Sequence, residues 1–201
     1  MTKERLAKQM NFILEIDKAK NIFRQTYLTD GNRKENDAEH SWHLAIMAFV
    51  LAEYFEEEID VLKVMKMVLM HDIVEIDAGD TYCYDDIANL DKAEREQKSA
   101  QRIYGILPEE QGKEYLELWE EFEEGKTKEA NFAAILDRLH PIMLNLASDG
   151  KAWLEHNVDK SQVLKRNERT LNGPEEIAEY FLGIIDEALK KGYLTDKENN
   201  N

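Results

Sequence analysis

A single cysteine, Cys83, occurs in 201 residues. An intrachain disulfide is therefore excluded, and the composition fits a reducing cytoplasm. Proline is scarce, with three residues, and glycine numbers nine. Runs that alternate apolar and polar residues are few. A sheet-rich fold needs such alternation and frequent turns, so an all-α fold is expected. No apolar stretch is long enough to span a bilayer. The opening residues, Met1-Thr2-Lys3-Glu4-Arg5, lead into an amphipathic pattern rather than a signal peptide. Positive charge is in deficit: 26 Lys and Arg stand against 42 Asp and Glu, a net −16. Such a surface repels nucleic acid and anionic membranes. It still admits a small phosphorylated substrate, provided a metal and a local cation offset the field. Apolar residues make up 43% of the chain, enough to build the core of one domain over 1–201.

The richest stretch runs from His71 to Asp80, His-Asp-Ile-Val-Glu-Ile-Asp-Ala-Gly-Asp. Before it, Val61 to Met70 is apolar almost all round, which predicts a buried central helix reaching about Glu75. Acidic side chains arriving at the edge of a core are costly unless a cation neutralises them. On a helix, His71 and Asp72 share a face with Glu75, at spacings of four and three. Gly79 suits a helix end, with Asp80 on the turn beyond it. By itself the His-Asp pair reads equally as a satisfied helix-end histidine.

Elsewhere the pattern predicts a first helix from Thr2 to Lys20 and an irregular stretch from Asn21 to Asp37. A second helix is capped by Asn36 with Glu39 reaching back, and it runs through Phe55. Asp60 caps the central helix. A loop spans Thr81 to Asn89, and helices follow from Asp91 to Leu107 and from Pro108 to about Glu123. A strongly apolar helix carries Phe132 to Leu146 with Asp137 in its middle. Pro141 cannot donate to the Asp137 carbonyl, so a kink or break is expected there. Partial helix is expected from Trp153 to Thr170, a last helix up to about Lys191, and a frayed tail over 195–201.

Three helices thus carry candidate ligands: His40, the pair His71 and Asp72, and Asp137. Imidazole nitrogen with carboxylate oxygen suits one divalent ion such as Mn, Co, Mg, Zn or Fe. Such an ion polarises a phosphoryl group and acidifies water, and Glu75 is placed to act as general acid or base.

The order His…His-Asp…Asp resembles the signature of the HD-domain metal-dependent phosphohydrolases. Leu136-Asp137-Arg138-Leu139 matches as well, and two narrower pieces point to their 5′-deoxynucleotidase branch: Ala38-Glu39-His40-Ser41-Trp42 and Gly79-Asp80-Thr81. The resemblance covers roughly Ile16 to Ala147, and the helices over 153–191 add little to it. It implies that His40, His71, Asp72 and Asp137 hold one metal, that Glu75 is the catalytic acid-base residue and that Asp80 touches the nucleotide sugar. It also implies a phosphate-orienting base ahead of the first histidine, for which Arg24 is the best match. Relatives selective for deoxy substrates can carry a bulky aromatic after that arginine, where this chain has Gln25.

Among the remaining residues, His43 is expected to pack or to hydrogen-bond behind a ligand, and Trp42 to be core or pocket wall. Arg138 is expected to pair with a carboxylate rather than meet substrate. His140 and His156 have no partner legible in the sequence, and no Cys-His-Asn arrangement makes Cys83 catalytic. The expectation is an all-α bundle that hydrolyses a nucleoside 5′-monophosphate in the cytoplasm as a homodimer. The alternatives are an HD-type phosphodiesterase or guanosine-polyphosphate hydrolase, and a non-catalytic metal-bound nucleotide sensor.

Overall fold

Helical spacing of apolar residues sets the architecture. The computed structural model describes residues 3–55, 58–85 and 87–197, and these are all-α apart from one small hairpin. α1 (Lys3–Ile16) passes through a 3-10 turn, Asp17–Asn21, into the antiparallel strands β1 (Phe23–Tyr27) and β2 (Lys34–Asn36). Then come α2 (Asp37–Val50), α3 (Val61–Met70), the short α4 (Glu75–Ala78), α5 (Lys92–Tyr104) and α6 (Glu109–Glu124). The long α7 (Lys128–Ala147) precedes α8 (Lys151–Glu155), α9 (Lys160–Arg166), α10 (Glu168–Leu171) and α11 (Glu175–Lys191).

The hairpin corrects the expectation of irregular chain between Asn21 and Asp37. Its strands carry no apolar alternation. Instead Thr26 and Glu35 are the buried residues, and Gly31, at φ 66°, closes the turn. α2 begins as expected: the Asn36 side chain accepts from the Glu39 N–H at 3.0 Å, and the Glu39 carboxylate accepts from the Asn36 N–H at 3.3 Å. It stops at Val50, and a 3-10 turn, Ala52–Tyr54, fills the stretch up to Phe55. Asp60 caps α3 by accepting from the Lys63 N–H at 3.0 Å.

The core forms where α3 crosses α2 and α7. Val64, Met67 and Val68 of α3 join Leu44 and Ala48 of α2 and Phe132, Ile135, Leu136 and Leu139 of α7 in one buried cluster. Phe181 and Ile185 of α11 complete it, so the C-terminal helices close the core rather than trail from it. Each such large apolar side chain contributes roughly 1.5–3 kcal/mol of burial. One edge of α3 stays exposed at Leu62 and Leu69, and α7 is the more deeply enclosed of the two.

α7 also corrects the expectation of a break, for it runs unbroken through Pro141. Leu139, Ile142 and Leu144 are buried on both sides of the proline. Their packing offsets the roughly 3 kcal/mol or more that an internal proline costs. The tail is likewise more ordered than expected up to Lys197. Thr195 bridges to Asp159, and the Lys197 N–H donates to Asp159 Oδ2 at 3.1 Å. The rest of the expected frayed segment, 198–201, lies outside the described residues.

Candidate functional site

The path of α3 continues past Met70, but its hydrogen bonding tightens into a 3-10 turn over His71–Val74 before α4. That change of pitch places His71, Asp72 and Glu75 at the end of the core helix, facing α2 and α7. Gly79, at φ 75°, then ends α4 and releases the chain toward Asp80.

Four of the expected residues meet here. His40 Nε2 lies 3.0 Å from Asp137 Oδ1 and 3.7 Å from Asp72 Oδ2. His71 Nε2 lies 3.0 Å from Asp72 Oδ2 and 3.6 Å from Asp137 Oδ1. Donors sharing one ion at about 2.0–2.2 Å stand roughly 2.8–3.6 Å apart, so these spacings fit a single divalent cation. The donor states fit as well. His71 Nδ1 is 2.9 Å from the Val68 carbonyl, which can only accept, so the proton sits on Nδ1. Nε2 is buried and makes no hydrogen bond among the described residues. Burial opposes the charged ring, but the Asp72 and Asp137 carboxylates hold the His71 pKa well above the ordinary range, so this corner favours positive charge, which a divalent cation can take over as the proton leaves Nε2.

Behind His40 lies a chain of rings. His40 Nδ1 is 3.1 Å from His140 Nδ1, and His140 Nε2 is 2.9 Å from His43 Nδ1. Burial first, and then His40 and His43, hold the His140 pKa well below the ordinary range, so His140 is neutral. The ring-to-ring chain anchors the His40 imidazole from behind while its Nε2 faces the Asp137 carboxylate at 3.0 Å. The buried Glu35 stands 3.4 Å from His40 Nδ1. His43 thus lies behind the ligand, as expected, whereas the partners of His140 and the role of Glu35 were not legible. The weak signals were the spacing of three from Asp137 to His140 and the burial of every second residue in β2.

Arg24 arrives from β1. Its Nη1 donates to Asp72 Oδ2 at 2.6 Å and lies 3.8 Å from Asp37, while its Nη2 is 3.9 Å from Asp137. Burial works against the charged state of Asp72, but His71 and Arg24 outweigh it and keep the carboxyl ionised. Asp137 is likewise opposed by burial and held well below the ordinary range by His40 and His71. Glu75 behaves oppositely: burial, then the neighbouring Asp72 charge, push it well above the ordinary range. Asp80 is raised for the same two reasons, with Arg24 opposing. Asp37 is an unforeseen member. It is pushed up to about 8 by burial and Asp72, and it groups with Asp72 and Glu75. In the sequence it passes for an ordinary acidic residue in the first turn of a helix. Arg24, Gln25, Asp72, Glu75, Asp80 and Asp137 together wall a cleft of about 110 Å³.

Three expectations fail at the margins. Trp42 is 61% exposed and is not pocket wall, because the buried face of α2 belongs to His40, Ser41 and Leu44. Arg138 makes no ion pair or hydrogen bond among the described residues, although Asp137 and Glu123 stand near it along with Arg166 and Arg169. His156 has a partner after all: it stacks on Tyr82 at 4.2 Å between ring centres.

Comparison with known proteins places this geometry among relatives. The profile of the HD domain family matches residues 16–178, which carries the likeness past Ala147 into α11. A crystal structure from Magnetospirillum magnetotacticum, described as a predicted metal-dependent phosphohydrolase, is 49% identical over 96% of this chain and 97% of its own, with a TM-score of 0.92. The human 5′-deoxynucleotidase HDDC2 is 32% identical over 55% of this chain and 53% of its own length. The chain therefore spans about half the length of that relative. The Dictyostelium discoideum protein of the same name is 31% identical over 69% of this chain and 76% of its own.

Proposed function

The chain belongs to the HD domain family of metal-dependent phosphohydrolases, and on that premise we propose that it is a nucleotidase, hydrolysing a ribo- or deoxyribonucleoside 5′-monophosphate to nucleoside and phosphate. The observation that supports the reading is His71 Nε2, buried and without a hydrogen-bond partner among the described residues, facing the carboxylates of Asp72 and Asp137. His40, His71, Asp72 and Asp137 would hold one divalent ion, Mn, Co, Mg, Zn or Fe. Once bound, that ion supplies positive charge to the phosphoryl oxygens and acidity to water.

The protein's own groups supply the rest. Arg24, already beside the ligand carboxylates, binds and orients the phosphate and neutralises charge as it builds. A water oxygen bonds to phosphorus as the bond to the 5′-oxygen breaks. Glu75 is 3% exposed, and burial and the Asp72 charge raise its pKa well above the ordinary range, which favours the acid form that gives its proton to the leaving 5′-oxygen and recovers one from the attacking water. Asp80 lines the same cleft where the sugar would lie, and Gln25 stands beside it, held by Lys34 at 2.6 Å. Gln25 is a smaller barrier to a ribose 2′-hydroxyl than an aromatic would be. In this reading the C-terminal helices are part of the same domain and the enzyme is cytoplasmic. The exposed Leu6, Met10, Ile13 and Leu14 of α1 are covered by a second copy in a homodimer, which light scattering checks.

The deciding experiment measures phosphate release from ribo- and deoxyribonucleoside 5′-monophosphates, with a bis-phosphodiester control. The protein is first stripped of metal and then given Mn, Co, Mg, Zn or Fe. Metal-dependent release from monophosphates alone is expected. Release from the diester alone would move the assignment to a phosphodiesterase. Metal binding with no release from any substrate would move it to a sensor.

A further inference from the structure

The cleft continues beyond Asp80. Tyr84, Arg138 and Arg166 wall both the cleft of about 110 Å³ and a neighbouring groove of about 730 Å³, so the two adjoin. Sites that enclose a ligand of nucleotide size usually run to about 300–1,000 Å³. The part of a substrate beyond its reacting phosphate therefore has to extend into the groove.

The groove is built for negative charge. Arg138 of α7, Lys165 and Arg166 at the end of α9, and Arg169 of α10 line it, and Glu168 is the one carboxylate on its wall among the described residues. This is a local reversal in a chain of net charge −16. Cations at the end of a helix are ordinary, which accounts for Lys165 and Arg166 by themselves. It does not account for Arg138, which sits in the middle of α7, half-buried, with no ion pair or hydrogen bond among the described residues. Arg166 and Arg169 line the same groove, so the fold gathers three guanidinium groups along one wall. The guanidinium of Arg169 donates to neutral oxygens, Gly125 O at 2.6 Å and Asn131 Oδ1 at 3.0 Å. By contrast Arg24, Arg33, Arg95 and Arg102 each have a carboxylate partner. Glu123 and Asp137 stand on a further cavity wall with the same three arginines, yet none of the three forms an ion pair with them among the described residues, which leaves their charge available to an anion in the groove.

We propose that the groove is a second anion subsite, in which Arg138, Arg166 and Arg169 take a further phosphate carried by the substrate itself. The substrate class is then a nucleotide bearing two phosphates, one at the ligand cluster and one in the groove. This deepens the nucleotidase reading and rests on it.

The test reads binding rather than turnover. Calorimetry on the Mn-loaded Glu75→Gln protein compares a nucleoside 5′-monophosphate with the matching 3′,5′-bisphosphate, 2′,5′-bisphosphate and 5′-diphosphate. At least one two-phosphate nucleotide is expected to bind roughly tenfold tighter or more, the gain of one charge-assisted contact pair. Arg166→Ala should shrink that ratio, and Arg166→Ala with Lys165→Ala should shrink it further, with Arg138 and Arg169 retaining part of the gain. Both side chains are exposed, so these variants should fold. A ratio of one for all three compounds in the parent protein, or a ratio unchanged in the double variant, would overturn the proposal. So would a monophosphate whose binding is tightened by added inorganic phosphate while the two-phosphate nucleotides gain nothing. That result would assign the groove to free phosphate. A preserved ratio without phosphate release in the parent protein would count against the nucleotidase reading and leave the groove standing. Release with a ratio of one would do the reverse.

Discussion

Glu75 concentrates the chemistry of this site in one proton. Burial and the charge of Asp72 hold its carboxyl well above the ordinary range, which suits a group that must be an acid at neutral pH. Glu75→Gln preserves shape and removes the proton. We expect it to lower kcat by roughly 100-fold or more while leaving metal affinity intact. The parent protein should also lose activity as pH rises through the Glu75 pKa, and that alkaline limb should be absent in the variant. Full turnover in Glu75→Gln would remove this residue from the mechanism. His140 acts one step back, through its contact with His40 Nδ1. Groups that orient metal-binding histidines typically change affinity by 10–100-fold when removed, so His140→Ala should weaken metal binding by about that factor. Calorimetric titration of the folded variant with Mn checks it, and unchanged affinity would reduce the three-histidine chain to packing.

Among the elements, α9 shows how a short helix is held. Asp159 caps it: Oδ1 accepts from the Ser161 N–H at 3.0 Å and the Ser161 hydroxyl at 2.6 Å. Oδ2 accepts from the Thr195 hydroxyl at 3.0 Å and the Lys197 N–H at 3.1 Å, tying the end of the chain to the same carboxylate. The Ser161 hydrogen bonds, above all, hold the Asp159 pKa below the ordinary range. A carboxyl with a depressed folded pKa contributes stability above its unfolded value of about 3.9 and loses it as pH falls toward the folded value. Asp159→Ala should therefore cost about 0.5–2 kcal/mol at neutral pH, and the difference from the parent protein should shrink as pH falls below about 4. Urea midpoints measured across pH check this. A difference that stayed constant into acid would show that the charge of Asp159 contributes nothing.

For the whole molecule, charge is the main strain. Asp72, Glu75, Asp80 and Asp137 line one cleft with Asp37 close behind Arg24, and Arg24 reaches toward three of these carboxylates while Lys92, Arg138 and Arg166 stand on the same wall. Binding of a divalent ion to the folded state should relieve that crowding and stabilise the fold by mass action. At a free metal concentration 100 times Kd the gain is about 2.7 kcal/mol, or roughly 5–10 °C in Tm for a chain of this size. Thermal melts with and without chelator measure it, and His71→Ala should abolish the shift. A melt indifferent to every metal would argue against the ligand set as a whole.

The helical class and the caps at Asn36 and Asp60 were legible because they rest on local chemistry, and His40, His71, Asp72 and Asp137 stood out as candidate ligands by residue type and family resemblance. Helical periodicity repeats over a few residues, a cap needs one polar side chain beside one N–H, and a buried His or Asp stands out against an apolar run. The hairpin was not legible, because its strands are held by pairing across the turn and carry no apolar alternation. The unbroken path of α7 through Pro141 was decided by burial on both sides of the proline, which local propensity does not contain. Asp37, Glu35 and His140 became part of the site only when α2, β2 and α7 packed together, and the same packing set Arg138 against Arg166 and Arg169. The sequence by itself determined which side chains could bind a cation or move a proton. Tertiary structure alone decided which charges became neighbours and how deeply they were buried, because desolvation and Coulomb energy depend on distances between segments remote in the chain.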